Sequence, residues 1–132
     1  MIARLSKSFR FEAAHFLPTF PEGHKCRRMH GHSFIFDVIL EGQVPEETGY
    51  LIDYGQIAEL CEPIRKQLDH YLLNDIDGLE NPTAEVLARW IWRKLQTPFD
   101  QLTQEIGRPT DLRLTEIIVH ETCTSACHYR GL

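Results

Sequence analysis

The 132-residue chain has no apolar stretch long enough to cross a bilayer, and Met1 to His15 lacks the roughly 7 to 15-residue apolar core of a signal peptide. A cytoplasmic protein with no membrane partner is therefore expected. Repeats, low-complexity tracts and charge blocks are also missing, so nothing marks an internal boundary and residues 1–132 are read as one domain. Glycine, at 8 residues, and proline, at 7, are too sparse for a collagen-like or largely disordered chain. Basic charge is short as well: 14 Lys and Arg against 19 Asp and Glu leave a net charge of -5. Such a surface repels polyphosphate and excludes a general nucleic-acid footprint, though a local basic patch remains compatible with it. Cysteine is limited to Cys26, Cys61, Cys123 and Cys127, which in a reducing compartment read as free, catalytic or metal-bound rather than paired. Histidine is abundant by contrast, with 7 residues, and raises the question of a metal.

In residues 2–15, Leu5, Phe9, Phe11 and Ala13 share one phase and Ser6, Ser8, Arg10 and Glu12 the other, which predicts a half-buried strand with Lys7 as its misfit. From His32 to Glu41 the phase Phe34, Phe36, Val38, Leu40 is wholly apolar, predicting a second strand that ends at Gly42. The segment Phe16 to Met29 between them, broken by Pro18, Pro21 and Gly23, reads as a long loop of the kind that carries function. Ile57, Leu60, Cys61, Ile64 and Leu68 then predict a helix, opened by Asp53 and Gln56 as a capping box and kinked at Pro63. A second helix, capped by Asn81 or Thr83, buries Leu87, Trp90, Ile91 and Leu95 and should end before Pro98. Leu112 to Val119 gives a third strand and Ala126 to Arg130 a short fourth. The order ββααββ predicts an α+β domain: a four-stranded, largely antiparallel sheet with both helices on one face. Because the second and third strands are partly apolar on both phases, the other face points to a homo-oligomer built through the sheets.

His30-Gly31-His32 places two imidazoles at i and i+2, hence on one side of a starting strand, with Gly31 expected to relieve crowding. His15, in the apolar phase at the end of the first strand, supplies a third nitrogen if the first two strands pair as a hairpin. Three histidines without an evident fourth ligand match an open, catalytic metal site, although a His-x-His pair also occurs as ordinary surface histidines. Cys26 sits in the loop beside Lys25, Arg27 and Arg28, cations that would favour its thiolate; a chemically idle loop cysteine is the alternative. Cys61 lies on the helical stripe and reads as core, and the spacing of Cys123 and Cys127 reads as structural. Asp69-His70 either complements a helix terminus or forms a carboxylate-oriented imidazole for proton transfer. Glu121 at the end of the third strand either pairs with a surface cation or accepts two hydrogen bonds from a flat donor edge.

Taken together, Phe11-Glu12-Ala13-Ala14-His15, Cys26 through His30-Gly31-His32, Leu68-Asp69-His70, Asn81-Pro82-Thr83-Ala84-Glu85 and Glu121-Thr122-Cys123-Thr124 resemble the 6-pyruvoyltetrahydropterin synthase superfamily, in the same order and from about Ser8 to Gly131. The spacing Cys-x-x-x-His-Gly-His is similar to that of the bacterial 6-carboxy-5,6,7,8-tetrahydropterin synthases of queuosine biosynthesis. The resemblance implies a tunnelling fold assembled as a homohexamer, a dimer of trimers, and a lyase converting 7,8-dihydroneopterin triphosphate to 6-carboxytetrahydropterin, acetaldehyde and triphosphate. A 6-pyruvoyltetrahydropterin synthase on the same substrate, or a non-catalytic pterin-binding protein, are the rival readings. Carried onto this chain, His15, His30 and His32 would hold Zn²⁺, Cys26 would be the base and Asp69 with His70 a proton relay. Glu121 would anchor the pterin, Thr83 and Glu85 would lie near it across an interface, and charge alone assigns Lys25, Arg27 and Arg28 to the triphosphate. The segment Asp100 to Asp111 looks longer than the family's connection.

Overall fold

β1 (Ile2–His15) and β2 (His30–Gln43) pair antiparallel along their whole length, from Ile2 opposite Gln43 to His15 opposite His30. The computed structural model describes residues 1–104 and 111–132. Residues 105–110, half of the long Asp100 to Asp111 connection, therefore lie outside the described residues. β3 (Arg113–Thr122) pairs with β2, and β4 (Ser125–Tyr129) with β3, both antiparallel, so the sheet order β1-β2-β3-β4 follows the sequence. Between β2 and β3 lie α1 (Tyr54–Leu68), packed on β1, and α2 (Ala84–Leu102), packed on β3 and β4. The architecture is the expected ββααββ sheet with two helices on one face.

Strand alternation puts Phe9, Phe11, Phe34, Phe36, Val38, Leu40, Ile117 and Val119 under the helices, where all are buried. Phe9 stacks on Phe36 and Phe11 on Phe34, each pair with centroids 5.1 Å apart. From above, Ile57, Cys61, Ile64 and Leu68 of α1 and Leu87, Ile91 and Leu95 of α2 close the core. Asp53 caps α1 by accepting from the Gly55 amide at 3.0 Å, and Thr83 rather than Asn81 caps α2, its Oγ1 accepting from the Val86 amide at 3.1 Å.

α1 runs on through Pro63. Two expectations change. α2 does not stop before Pro98 but continues to Leu102, burying Phe99 and Leu102. An internal proline costs about 3 kcal/mol, whereas burying a Phe and a Leu returns about 1.5–3 kcal/mol each, so packing outweighs the lost backbone bond. Gly31 lies in regular strand, and a Cβ there would meet the nearest backbone oxygen, that of Ala13, at an ordinary 3.5 Å, so crowding does not require glycine.

The uncovered face is polar. Asp37 joins three strands, accepting from Ser8 Oγ at 2.6 Å and from His120 Nε2 at 2.8 Å. Glu116, only 4% exposed, accepts from His128 Nδ1 at 2.7 Å and lies 3.5 Å from Arg4 and from Arg130. Ile35, Ile39 and Ile118 are among its apolar members, and Ile39 is buried.

Candidate metal centre and adjoining clefts

His15 continues the apolar phase of β1, and His30 and His32 begin that of β2, so the covered face of the sheet ends in imidazoles. The register sets His15 opposite His30 and Ala13 opposite His32. Ring centroids lie 4.6 Å apart for His15 and His30, 5.2 Å for His15 and His32, and 4.9 Å for His30 and His32. Glu121, in phase with Ile117 and Val119 on β3, adds a carboxylate: its Oε1 lies 3.5 Å from His15 Nε2 and 3.2 Å from His32 Nε2. One ligand atom from each of these four residues falls within 4.8 Å of every other. The structure thus supplies a fourth candidate ligand that the spacing of the histidines did not reveal.

Backbone carbonyls orient two of the rings. His15 Nδ1 lies 3.0 Å from Pro82 O and His30 Nδ1 2.7 Å from Arg28 O. A carbonyl only accepts, so each Nδ1 carries a proton, and in the neutral ring Nε2 is left as the atom for a metal. Both His15 Nε2 and His32 Nε2 are buried without a hydrogen-bond partner. Their approaches to Glu121, at 3.5 and 3.2 Å, are close yet lack hydrogen-bond geometry. A buried unsatisfied polar atom costs about 1–3 kcal/mol. A cation held by the ring nitrogens removes that cost, and ligand atoms within 4.8 Å of one another are near enough to share one ion. Burial pushes the His32 pKa down, with the His15 and His30 charges adding to the effect and Glu121 opposing it. The His15 ring beside Glu121, joined by the charges of His32 and His30, outweighs burial and holds its carboxyl below the usual carboxylate range. Neutral imidazole and ionised carboxylate are the forms that bind a cation.

Cys26 sits in a 3-10 turn, Lys25–Arg27, and shares a cleft of about 450 Å³ with Lys25, Arg28, His30, His32 and Glu121. Arg27 turns away, its guanidinium donating to Phe20 O at 2.9 Å, so the expected cationic trio reduces to Lys25 and Arg28 at this cleft. Asp69 and His70 end α1. Asp69 Oδ1 accepts from the Glu12 amide at 2.9 Å, and its Oδ2 lies 2.9 Å from His70 Nδ1 and 3.5 Å from Arg65. The Glu12 amide first, and the His70 contact second, hold the Asp69 carboxyl below its ordinary value. His70 adopts φ 63° and donates its own amide to Glu12 O. Its ring lines a second cleft, of about 540 Å³, with Glu12, Ser33, Tyr71 and His32. His32 thus borders both the cysteine cleft and the His70 cleft. Glu85 meets Glu121 and Cys127 at a third cleft, of about 380 Å³, while the Thr83 hydroxyl is engaged in its helix cap. All four cysteines are free: Cys61 is buried as expected, Cys127 is half-buried, and Cys123 is exposed rather than packed. His24, whose ring accepts from the Cys26 amide at 3.1 Å, was not among the expected site residues, because histidine is not a usual cap.

An antiparallel α+β domain whose apolar sheet face terminates in three imidazoles and a carboxylate, next to a cysteine-bearing cleft, has the donor set of a candidate metal centre. Residues 4–132 match the family model described as 6-pyruvoyl tetrahydropterin synthase, and the chain belongs to that family. It is 44% identical over 128 residues, covering 93% of this chain and 89% of the relative, to the 6-carboxy-5,6,7,8-tetrahydropterin synthase of Synechocystis sp.. The same name is borne by a Bacillus subtilis relative, 32% identical over 132 residues, with 96% of this chain and 84% of the relative covered. Its fold superposes on the 6-pyruvoyl tetrahydropterin synthase of Caenorhabditis elegans with a TM-score of 0.80 at 22% identity, over 100% of this chain and 97% of the other.

Proposed function

We propose that the protein is a cytoplasmic, homohexameric lyase of the 6-carboxytetrahydropterin synthase type, acting with zinc on 7,8-dihydroneopterin triphosphate in the pathway to queuosine. The observation that carries this reading is the convergence of buried, partnerless imidazole nitrogens on one point beside the Cys26 cleft. The names of the Synechocystis and Bacillus relatives support the choice of product. Zinc held by His15, His30 and His32 would supply Lewis acidity toward the hydroxyls of the substrate's three-carbon tail.

The protein's own groups divide the remaining work. Cys26 removes a carbon-bound proton from that tail, placed for this by a turn on the same cleft as His30 and His32. Lys25 and Arg28 on that cleft receive the triphosphate, giving an otherwise acidic protein a local anion site. Asp69 faces His70 Nδ1 at 2.9 Å, which leaves Nε2 as the atom that returns a proton from the opposite cleft. Glu121 stands between the imidazoles and the cleft it shares with Glu85, where its two oxygens suit the paired N–H donors of a pterin. Loss of triphosphate and hydrolytic carbon–carbon cleavage, in which water supplies the second carboxyl oxygen and acetaldehyde leaves, complete the reaction.

The test is to incubate the zinc-loaded protein with dihydroneopterin triphosphate and identify the products by mass spectrometry. Acetaldehyde with the 6-carboxy product is expected, chelation abolishes turnover, and Cys26→Ala lowers it by about 10²–10⁴-fold with zinc retained. A 6-pyruvoyl product without acetaldehyde moves the protein to the rival activity, and full turnover by Cys26→Ala removes the cysteine from the mechanism. Light scattering reads the assembly, six protomers being expected.

A further inference from the structure

The turn that carries Cys26 is only three residues long, so its own backbone bonds do little to hold it. Its stability comes from both ends. On the amino side, His24 Nδ1 accepts from the Cys26 amide at 3.1 Å, and His24 O accepts from the Arg27 amide at 3.0 Å. The His24 ring lies on Phe20, centroids 4.4 Å apart, and Phe20 O is in turn gripped by Arg27. On the other side, Leu17 donates its amide to Cys26 O at 2.9 Å. The turn closes with the Arg28 amide on Lys25 O, and Arg28 O then receives the His30 ring. One run of backbone, opened by the capping ring of His24, sets both the cysteine and the orientation of a metal-ligand imidazole.

We propose that His24 is a positioning residue for Cys26: its neutral ring, with the proton on Nε2 and the lone pair on Nδ1, fixes the turn that presents the thiol to the cleft. The proposal rests on the reading of Cys26 as the base. The role belongs to one atom of the ring. Asparagine places Oδ1 the same number of bonds from the backbone as Nδ1, and is a favoured capping residue, whereas glutamine carries its oxygen one bond too far and alanine offers no acceptor.

The test uses zinc-loaded His24→Asn, His24→Ala and His24→Gln. Two quantities are measured on each: kcat and KM for dihydroneopterin triphosphate, and the rate at which iodoacetamide alkylates Cys26, followed on its own peptide without substrate. A cap contributes enough that its loss should lower kcat about fivefold to tenfold in the Ala and Gln variants. Zinc content should stay put, any rise in KM should be smaller than the fall in kcat because Lys25 and Arg28 share the turn, and the Cys26 alkylation rate should rise as the loosened turn exposes the thiol. His24→Asn should restore both readouts to within about twofold of the parent. An Asn variant as impaired as Ala, wild-type behaviour in all three, or an effect confined to KM overturns the proposal. Cys26→Ala runs alongside: if it keeps full turnover, the base assignment falls by itself, and the alkylation rates alone then decide whether His24 orders the thiol.

Discussion

The covered face of the sheet and its open face are built from the same strands, yet their histidines are in opposite situations. On the open face, His120 and His128 meet Asp37 and Glu116 at 2.8 and 2.7 Å and are satisfied within the protein. At the end of the covered face, His15 and His32 keep buried Nε2 atoms without a hydrogen-bond partner, and the one nearby carboxylate shares its position with three rings. Histidine content says nothing about this division. What separates the two groups is whether each ring nitrogen finds a protein partner, and only unpaired, convergent nitrogens are worth a metal.

The contrast is broken most directly by exchanging histidines for alanine on each face. His15→Ala, His30→Ala and His32→Ala should each lower turnover by ~10³-fold or more, several kcal/mol of lost transition-state stabilisation, and lose zinc by elemental analysis. His120→Ala and His128→Ala should keep the metal and remain within about tenfold of the parent rate. Zinc lost from either of the latter would mean that the division is drawn in the wrong place.

Neighbouring residues sharpen the contrast in stability. Phe36 is fully buried on the covered face, and Phe36→Ala should cost about 3–5 kcal/mol in urea unfolding. Ile35, one residue earlier and half-buried on the open face, should cost about 1 kcal/mol on truncation to alanine. A loss at Ile35 that approaches the Phe36 value and grows with protein concentration would identify the open face as covered by other protomers, in keeping with the proposed hexamer.

The smallest effect is specific to pH. Burial pushes the Cys61 thiol from 9.0 up to about 12, against the opposing charge of Lys7. The folded state therefore holds this proton more tightly than the unfolded state. The resulting stability is intact below pH 9.0, where both states are protonated, and is lost as pH rises toward 12. At about 1.4 kcal/mol per pH unit, the advantage of the wild type over Cys61→Ala should shrink by about 2 kcal/mol between about pH 9 and pH 10.5. A constant difference across that range would show that the thiol ionises as freely in the fold as outside it.

Much of this organisation was legible before the structure. The phase of Leu5, Phe9, Phe11 and Ala13 runs directly to His15, and that of His30 and His32 to Phe34 and Phe36, so the side of the sheet followed from alternation alone. The end of α2 was not legible, because a local rule about Pro98 competes with the burial of Phe99 and Leu102 beyond it, and only packing settles such a contest. Arg27, adjacent in sequence to Cys26, was grouped with Lys25 and Arg28 by charge, and the turn sent it instead to Phe20.

The sequence by itself determined the element order, the buried phases and which residue types could do chemistry, because these follow from periods of two and 3.6 that are local to the backbone. Tertiary structure alone decided that Glu121 reaches His15 and His32, that the Pro82 and Arg28 carbonyls orient His15 and His30, and that Asp69 is pinned to Glu12. Each of these depends on which strands and loops become neighbours and in what register, a property of the folded molecule that no local period encodes.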